Sequence, residues 1–165
     1  MAELDLSQIP DNARAMSALD ALVFSDVDTG VLTPGQTAAL KAWVSAGGTL
    51  LVAGGSSWQK TAAGLNGLLP LTPTGTTTLG DLNSLARFAG TQEALTGRGG
   101  AVVTVGTLTA EAVPLVSQAE QTLVAMRRVG TGQVMYLAAD PALEPLKGWD
   151  GAEGFFRNLM LAAPM

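Results

Sequence analysis

Ala21-Leu22-Val23-Phe24, then Ser25-Asp26-Val27-Asp28-Thr29-Gly30, then a helical pattern from Pro34 to Ala46, then Thr49-Leu50-Leu51-Val52-Ala53 opening into Gly54-Gly55-Ser56-Ser57: this run, within residues 19–57, decides how the chain folds. Neither aliphatic block alternates with polar residues, which marks strands buried on both faces. A helix between two such strands lets them pair only as parallel neighbours. The helix is well bounded: Thr33 stands where a cap belongs, Pro34 suits the first helical position, and Gln36 can return the second bond of a capping box. Leu40, Trp43 and Val44 form its inward stripe, Lys41 faces water, and Gly47-Gly48 permits the left-handed stop.

Working outward, 165 residues fit one domain with a sizeable core. Hydrophobic residues make up 47% and charged ones only 14%, which excludes disorder and predicts a surface that is in large part apolar, small or covered by something outside this chain, as a piece of a larger protein could be. The net charge of −5, with nine Lys and Arg and no cluster among them, leaves no footprint for a phosphate backbone, so nucleic acid is not an expected partner. Apolar runs fall far short of the ~20 residues of a membrane-spanning helix, and the first residues lack the form of a secretion signal. The chain has no Cys and no His. Thiol nucleophiles, imidazole bases, disulfides and Cys/His metal sites are thereby excluded, and any chemistry falls to Asp, Glu, Ser, Thr, Lys, Arg or Tyr136. No cofactor is expected.

Before the deciding run, Leu4, Leu6 and Ile9 predict a short edge strand ending at Pro10, and residues 12–19 a short helix. After it, Ser56 with Gln59 predicts a capped helix running to Leu69, with Trp58, Ala62, Leu65 and Leu69 on one face. From Leu71 to Thr78 the chain turns to Thr, Pro and Gly and reads as a connector, and the spacing of Leu79, Leu82, Leu85 and Phe88 predicts a short helix. The period then becomes that of strands over residues 101–108, 112–117, 122–129 and 133–138. Gly130-Thr131-Gly132 marks a hairpin between the last two. Asp150 and Glu153 predict the start of a final helix that buries Phe155, Phe156, Leu159 and Met160. Trp43, Trp58 and Trp149 read as core, and Arg127 and Arg128, on opposite faces of their strand, as solvated.

Ligands of an open parallel sheet sit beyond the carboxyl ends of its strands. Asp26 and Asp28, Gly54 to Ser57, and Asp140 all end there, and they are the candidate ligand-binding residues. Asp26 and Asp28 could hold a cation or serve as nucleophile and acid, or simply favour the following helix N-terminus. Gly54, Gly55, Ser56 and Ser57 could cradle an anion with backbone N–H groups, or form a tight turn capped by Ser56.

Two families share parts of this pattern. The run Val23 to Leu32 resembles the first motif of haloacid dehalogenase-like phosphatases. That resemblance implies a magnesium-dependent phosphatase with Asp26 as nucleophile, Asp28 as proton shuttle, Asp140 and Glu144 as metal ligands, and Lys60 as the family's lysine. Thr29 and Gly30 stand in inverted order for it, and Gly54 falls where that family needs Ser or Thr. Leu22 to Asp28, Lys41-Ala42-Trp43-Val44, Gly47 to Gly55 and the later run Gly130 to Pro141 resemble class I glutamine amidotransferase-like domains. The likeness is greatest to their non-catalytic branch in bacterial membrane-anchored proteins. A catalytic Cys would fall near Ala53 or Gly54 and a catalytic His after Asp140; both are missing, so the resemblance implies a scaffold without thiol chemistry.

The expected architecture is α/β: a parallel-sheet, Rossmann-like (flavodoxin-like) three-layer sandwich with an antiparallel β-ribbon insertion over residues 71–128, in one amidotransferase-like domain cut from a larger protein. The expected function is a non-enzymatic binding or interaction domain. Its expected partners are other domains of its parent or a second protein, with an extracytoplasmic location implied by the resemblance and the cytoplasm left open. The magnesium-dependent phosphatase is the alternative, and a structural spacer the third reading.

Overall fold

Parallel pairing of the two aliphatic blocks is where the fold begins. A computed structural model describes residues 9–10, 12–65 and 67–161. In it β1 (Ala21–Phe24) lies beside β2 (Thr49–Ala53), with Leu22 opposite Leu50 and Phe24 opposite Val52. Between them α1 (Pro34–Ser45) starts with the expected capping box, Gln36 N–H donating to the Thr33 hydroxyl at 3.1 Å and Thr33 N–H to Gln36 Oε1 at 2.9 Å. Its Leu40 and Val44 are fully buried against the sheet. The predicted edge strand over Leu4–Ile9 falls almost wholly outside the described residues; Ile9 itself is buried.

The rest of the main sheet departs from the expected architecture. Its order is β1-β2-β7-β6-β5, with β7 (Gly132–Leu137) parallel to β2 but antiparallel to β6 (Gln121–Val129), which is antiparallel to β5 (Val113–Gln118). The sheet is therefore mixed, a separate antiparallel pair stands beside it, and helices are few, so a parallel three-layer Rossmann-like sandwich is the wrong description. The reason is local. Only Gly130 and Thr131 separate β6 from β7, and only Ala119 and Glu120, both with positive φ (51° and 65°), separate β5 from β6. Turns of that length and hand reverse the chain and allow no crossover. Strands expected to form an inserted ribbon thus belong to the main sheet.

The antiparallel pair is β3 (Leu71–Asp81) with β4 (Thr96–Leu108), in register from Leu71↔Leu108 to Leu79↔Ala101 with bulges near both ends. Residues 71–78 are strand, not connector: Thr72, Thr74, Thr76 and Thr78 face solvent, and alternate residues are more covered. The ribbon joins the main sheet where Thr104 N–H donates to the Ala138 carbonyl at 2.7 Å and Val103 bridges Ala139. Short α3 (Asn83–Phe88) links the two ribbon strands, so Leu79 is in a strand and outside the helix expected for it.

Two predicted helices are truncated. Residues 13–16 form a single 3₁₀ turn, and α2 spans only Trp58–Ala62 without a side-chain cap, so the Ser56 and Gln59 pattern is unused. Buried Thr29 explains the early stop: its hydroxyl donates to the Thr61 carbonyl at 2.9 Å and accepts from Gly64 N–H at 2.8 Å, replacing the next helical bonds. The last helix, α4 (Ala152–Leu161), buries Phe155 and Leu159 but leaves Met160 exposed. Trp43 is core, Trp58 and Trp149 are half-covered, and Arg127 is tied to the Gly67 carbonyl at 2.6 Å where it was expected to be solvated. Leu50, Val52, Val134 and Met135 of the central strands are buried throughout, each contributing on the order of 2 kcal/mol by leaving water.

Candidate functional site: the rim at the carboxyl ends of the strands

The carboxyl ends of β1, β2 and β7 bring the predicted residues to one rim. Beyond β1 the chain turns sharply, with Asp26 in the left-handed region at φ 51°. Its carboxylate meets the Lys60 ammonium of α2 at 2.7 Å, both side chains about half exposed (51% and 48%). Hydrogen bonds from Lys60 and from Ser57 hold Asp26 below the usual carboxylate range. The same bond raises the Lys60 ammonium, opposed by partial desolvation and supported by the charges of Asp26, Asp28 and Asp140. Lys60 is thus the cation around which the acidic residues gather.

Each of the other carboxylates already has a structural task. Asp28 accepts from Gly30 N–H at 2.9 Å and caps the 3₁₀ turn Thr29–Val31. Asp140 is buried, accepting from Ala142 N–H at 2.9 Å and more distantly from the Ser25 hydroxyl at 3.4 Å. Among the described residues no group of three or more Asp and Glu is placed to hold a metal ion. Asp26 is thus paired with Lys60, and Asp28 bonds its own turn.

Gly54 and Gly55 are held by geometry that leaves no room for a side chain. Gly54 N–H donates to the Leu137 carbonyl at 2.7 Å, and its backbone (φ −99°, ψ −118°) lies outside the helical and extended wells. A Cβ there would stand 2.1 Å from the Tyr136 hydroxyl and 2.3 Å from the Thr104 hydroxyl. Those two oxygens bond each other at 3.2 Å, Tyr136 donating, and Gly55 N–H donates to Thr104 at 2.7 Å. Gly55, at φ 81°, lies so close to Asp140 that a Cβ would approach its N–H to 2.8 Å. An anion cradle over Gly54–Ser57, one of the two readings of that run, would therefore have its Gly55 donor spent, and the helix it opens has five residues. Burial pushes the Tyr136 phenol up to about 12, against the opposing bond to Thr104.

Tyr136 and Thr104 are the rim residues that reading the chain did not single out as site members. The available signal was one tyrosine in an otherwise aliphatic strand, Val134-Met135-Tyr136-Leu137, since a buried phenol requires a partner. A depression of about 70 Å³ opens beside Asp140, lined in part by Leu82, Val102, Leu143 and Pro145. Among the described residues no helix is long and apolar enough to cross a membrane.

Comparison with known proteins adds a family. Residues 1–141 match the family described as Domain of unknown function (DUF7408). The chain belongs to that family. No curated protein matches the sequence significantly. Among solved structures, this DUF7408 chain is similar to the cytoplasmic protein STM1381 from Salmonella typhimurium LT2, with a TM-score of 0.70 and 17% identity over 96% of this chain and 77% of that one. It is also similar to the cytoplasmic protein STM3548 from Salmonella typhimurium, at 0.69 and 13% over 94% and 76%. A β-galactosidase from Rahnella sp. R3 matches at 0.58 and 16% over 88% of this chain but only 23% of its own. At these identities the likeness is one of fold.

Proposed function

We propose that this DUF7408 chain is a non-enzymatic binding or interaction domain of a larger protein. The observation that carries the reading is the state of Gly54: the space in front of it holds the hydroxyls of Tyr136 and Thr104, bonded to each other. No nucleophile could be placed there without displacing them. Asp26, Asp28 and Asp140 are committed to Lys60 and to backbone N–H groups, which supports the same conclusion for acid and metal chemistry. The Rahnella match, in which this fold accounts for 23% of a longer chain, is what a domain built into larger proteins would give.

Kinship with the non-catalytic amidotransferase-like branch is part of this proposal. It rests on the Gly47 to Gly55 run and on Gly130 to Pro141, and with it goes placement outside the cytoplasm in a bacterial membrane-anchored protein. The test is enzymatic and simple. The purified protein is expected to hydrolyse neither a generic phosphate ester with magnesium nor glutamine above the blank, and Asp26→Asn and Asp28→Asn are expected to match it. A rate above the blank that disappears in Asp26→Asn would contradict the proposal.

A further inference from the structure

The outer edge of the ribbon is long and unguarded. β1 ends the main sheet with only four residues, and β5 ends it with Pro114 and two breaks of register, devices that discourage further pairing. β3 is an 11-residue strand whose single partner is β4. It pairs in continuous register over residues 75–79, between its bulges, and residues 71–80 include no charged side chain. The direction of its main-chain groups follows from β4. Thr104 N–H points at the Ala138 carbonyl, away from β3, so Thr76, which stands opposite Thr104, turns its own N–H and C=O outward, and Thr78 does likewise two residues on. Among the described residues nothing bonds these outward groups. Thr76 and Thr78 are exposed, and a Cβ built on Gly80 would meet nothing within 4 Å, so the edge is open to approach.

Unpaired N–H and C=O groups in a row select another strand, and the strand best matched is β3 of a second copy. Thr77 is the midpoint of the unbulged stretch. In antiparallel pairing about a two-fold axis there, Thr76 stands opposite Thr78 of the other copy, and both present outward groups that can bond reciprocally. Gly75 falls opposite Leu79, small against large, and no like charges meet. A second copy also brings a strand already ordered by β4, whereas a flexible peptide would lose conformational entropy on the same edge.

We infer that this chain forms a two-fold dimer in which the β3 strands pair edge to edge and join two ribbons into one sheet. The interface is small, so association is weak and concentration-dependent. No rim carboxylate lies on β3: a monomer would leave the non-enzymatic reading standing, and a hydrolytic rate lost in Asp26→Asn would leave the dimer standing. Sedimentation velocity of the full chain from micromolar to millimolar concentration should show monomer passing to dimer, with the Thr76 and Thr78 amides exchanging more slowly in the concentrated solution. Thr76→Pro removes an outward donor and no ribbon bond, and should raise the dissociation constant at least about tenfold. Thr77→Lys and Thr77→Glu each set like charges face to face at the axis and should weaken self-association, and mixing the two should restore it as a heterodimer. Cooperative unfolding of each variant in dilute solution separates lost association from a lost fold, and the Thr76 and Thr78 amides of the unaltered chain decide without any variant. A monomer at every concentration, a dimer that Thr76→Pro leaves unchanged, or a mixture of folded Lys and Glu variants that stays monomeric would overturn the inference.

Discussion

Gly54 is the position where one added carbon should do most harm. Gly54→Ala drives a methyl into the Tyr136 and Thr104 hydroxyls and forces ψ from −118°, so a loss of about 2–3 kcal/mol is expected in urea denaturation. Tyr136→Phe removes one hydrogen bond and should cost only about 1 kcal/mol. The double variant should lose less than the sum, because the deleted oxygen is one of the two that the methyl meets. At Asp26 the left-handed backbone decides the outcome: Asp26→Asn should leave the unfolding midpoint nearly unchanged, whereas β-branched Asp26→Val should lower it. Because Lys60 depresses the Asp26 carboxyl, whatever stability their exposed pair provides is present above the ordinary carboxylate value of 3.8 and lost as pH falls through the depressed one. The glycine doublet itself was legible in the chain. What fills the space before it was not, since Thr104 and Tyr136 come from distant strands and carry no local mark of meeting.

At the scale of elements, the capping box of α1 was readable because Thr33, Pro34 and Gln36 act on one another within a single turn. Thr33→Ala should cost about 1 kcal/mol and lower the thermal midpoint without altering the rim. β3 was misread for the opposite reason. Its Thr, Pro and Gly content is that of a loop, although threonine also favours strands, and only pairing with β4 decides between the two. Alternation of exposed Thr72, Thr74, Thr76 and Thr78 with more covered neighbours is the signature that such a composition hides. The helix after Gly55 was overextended because its interruption is tertiary: the Thr29 hydroxyl takes the Thr61 carbonyl.

For the whole molecule, the parallel pairing of β1 and β2 was contained in one local run, while the composition of the sheet was not. Two tight hairpins could equally have built a separate ribbon; that β7 lies between β2 and β6 is decided by burial of every residue from Gly132 to Leu137. Hydrogen exchange should follow this layout, with amides of β2 and β7 slowest and those of the outer ribbon strand β3 faster; the reverse order would mean that the ribbon is the stable unit. The central claim is that the rim is closed at Gly54 by a buried phenol, and Tyr136 is the only tyrosine in the chain, so its phenolate absorbance reads that claim alone. A pKa raised from 10.0 to about 12 means that folding stability is unaffected by this group below pH ~10 and falls by about 2–3 kcal/mol as pH rises toward 12, because the buried site disfavours the phenolate; that pH dependence should be absent in Tyr136→Phe. The measurement is a spectrophotometric titration of the folded protein beside the same protein in urea. A folded midpoint near 12 against an unfolded one near 10 is the predicted result; a phenol that ionises at its ordinary value in the folded chain would place Tyr136 in water and contradict the account.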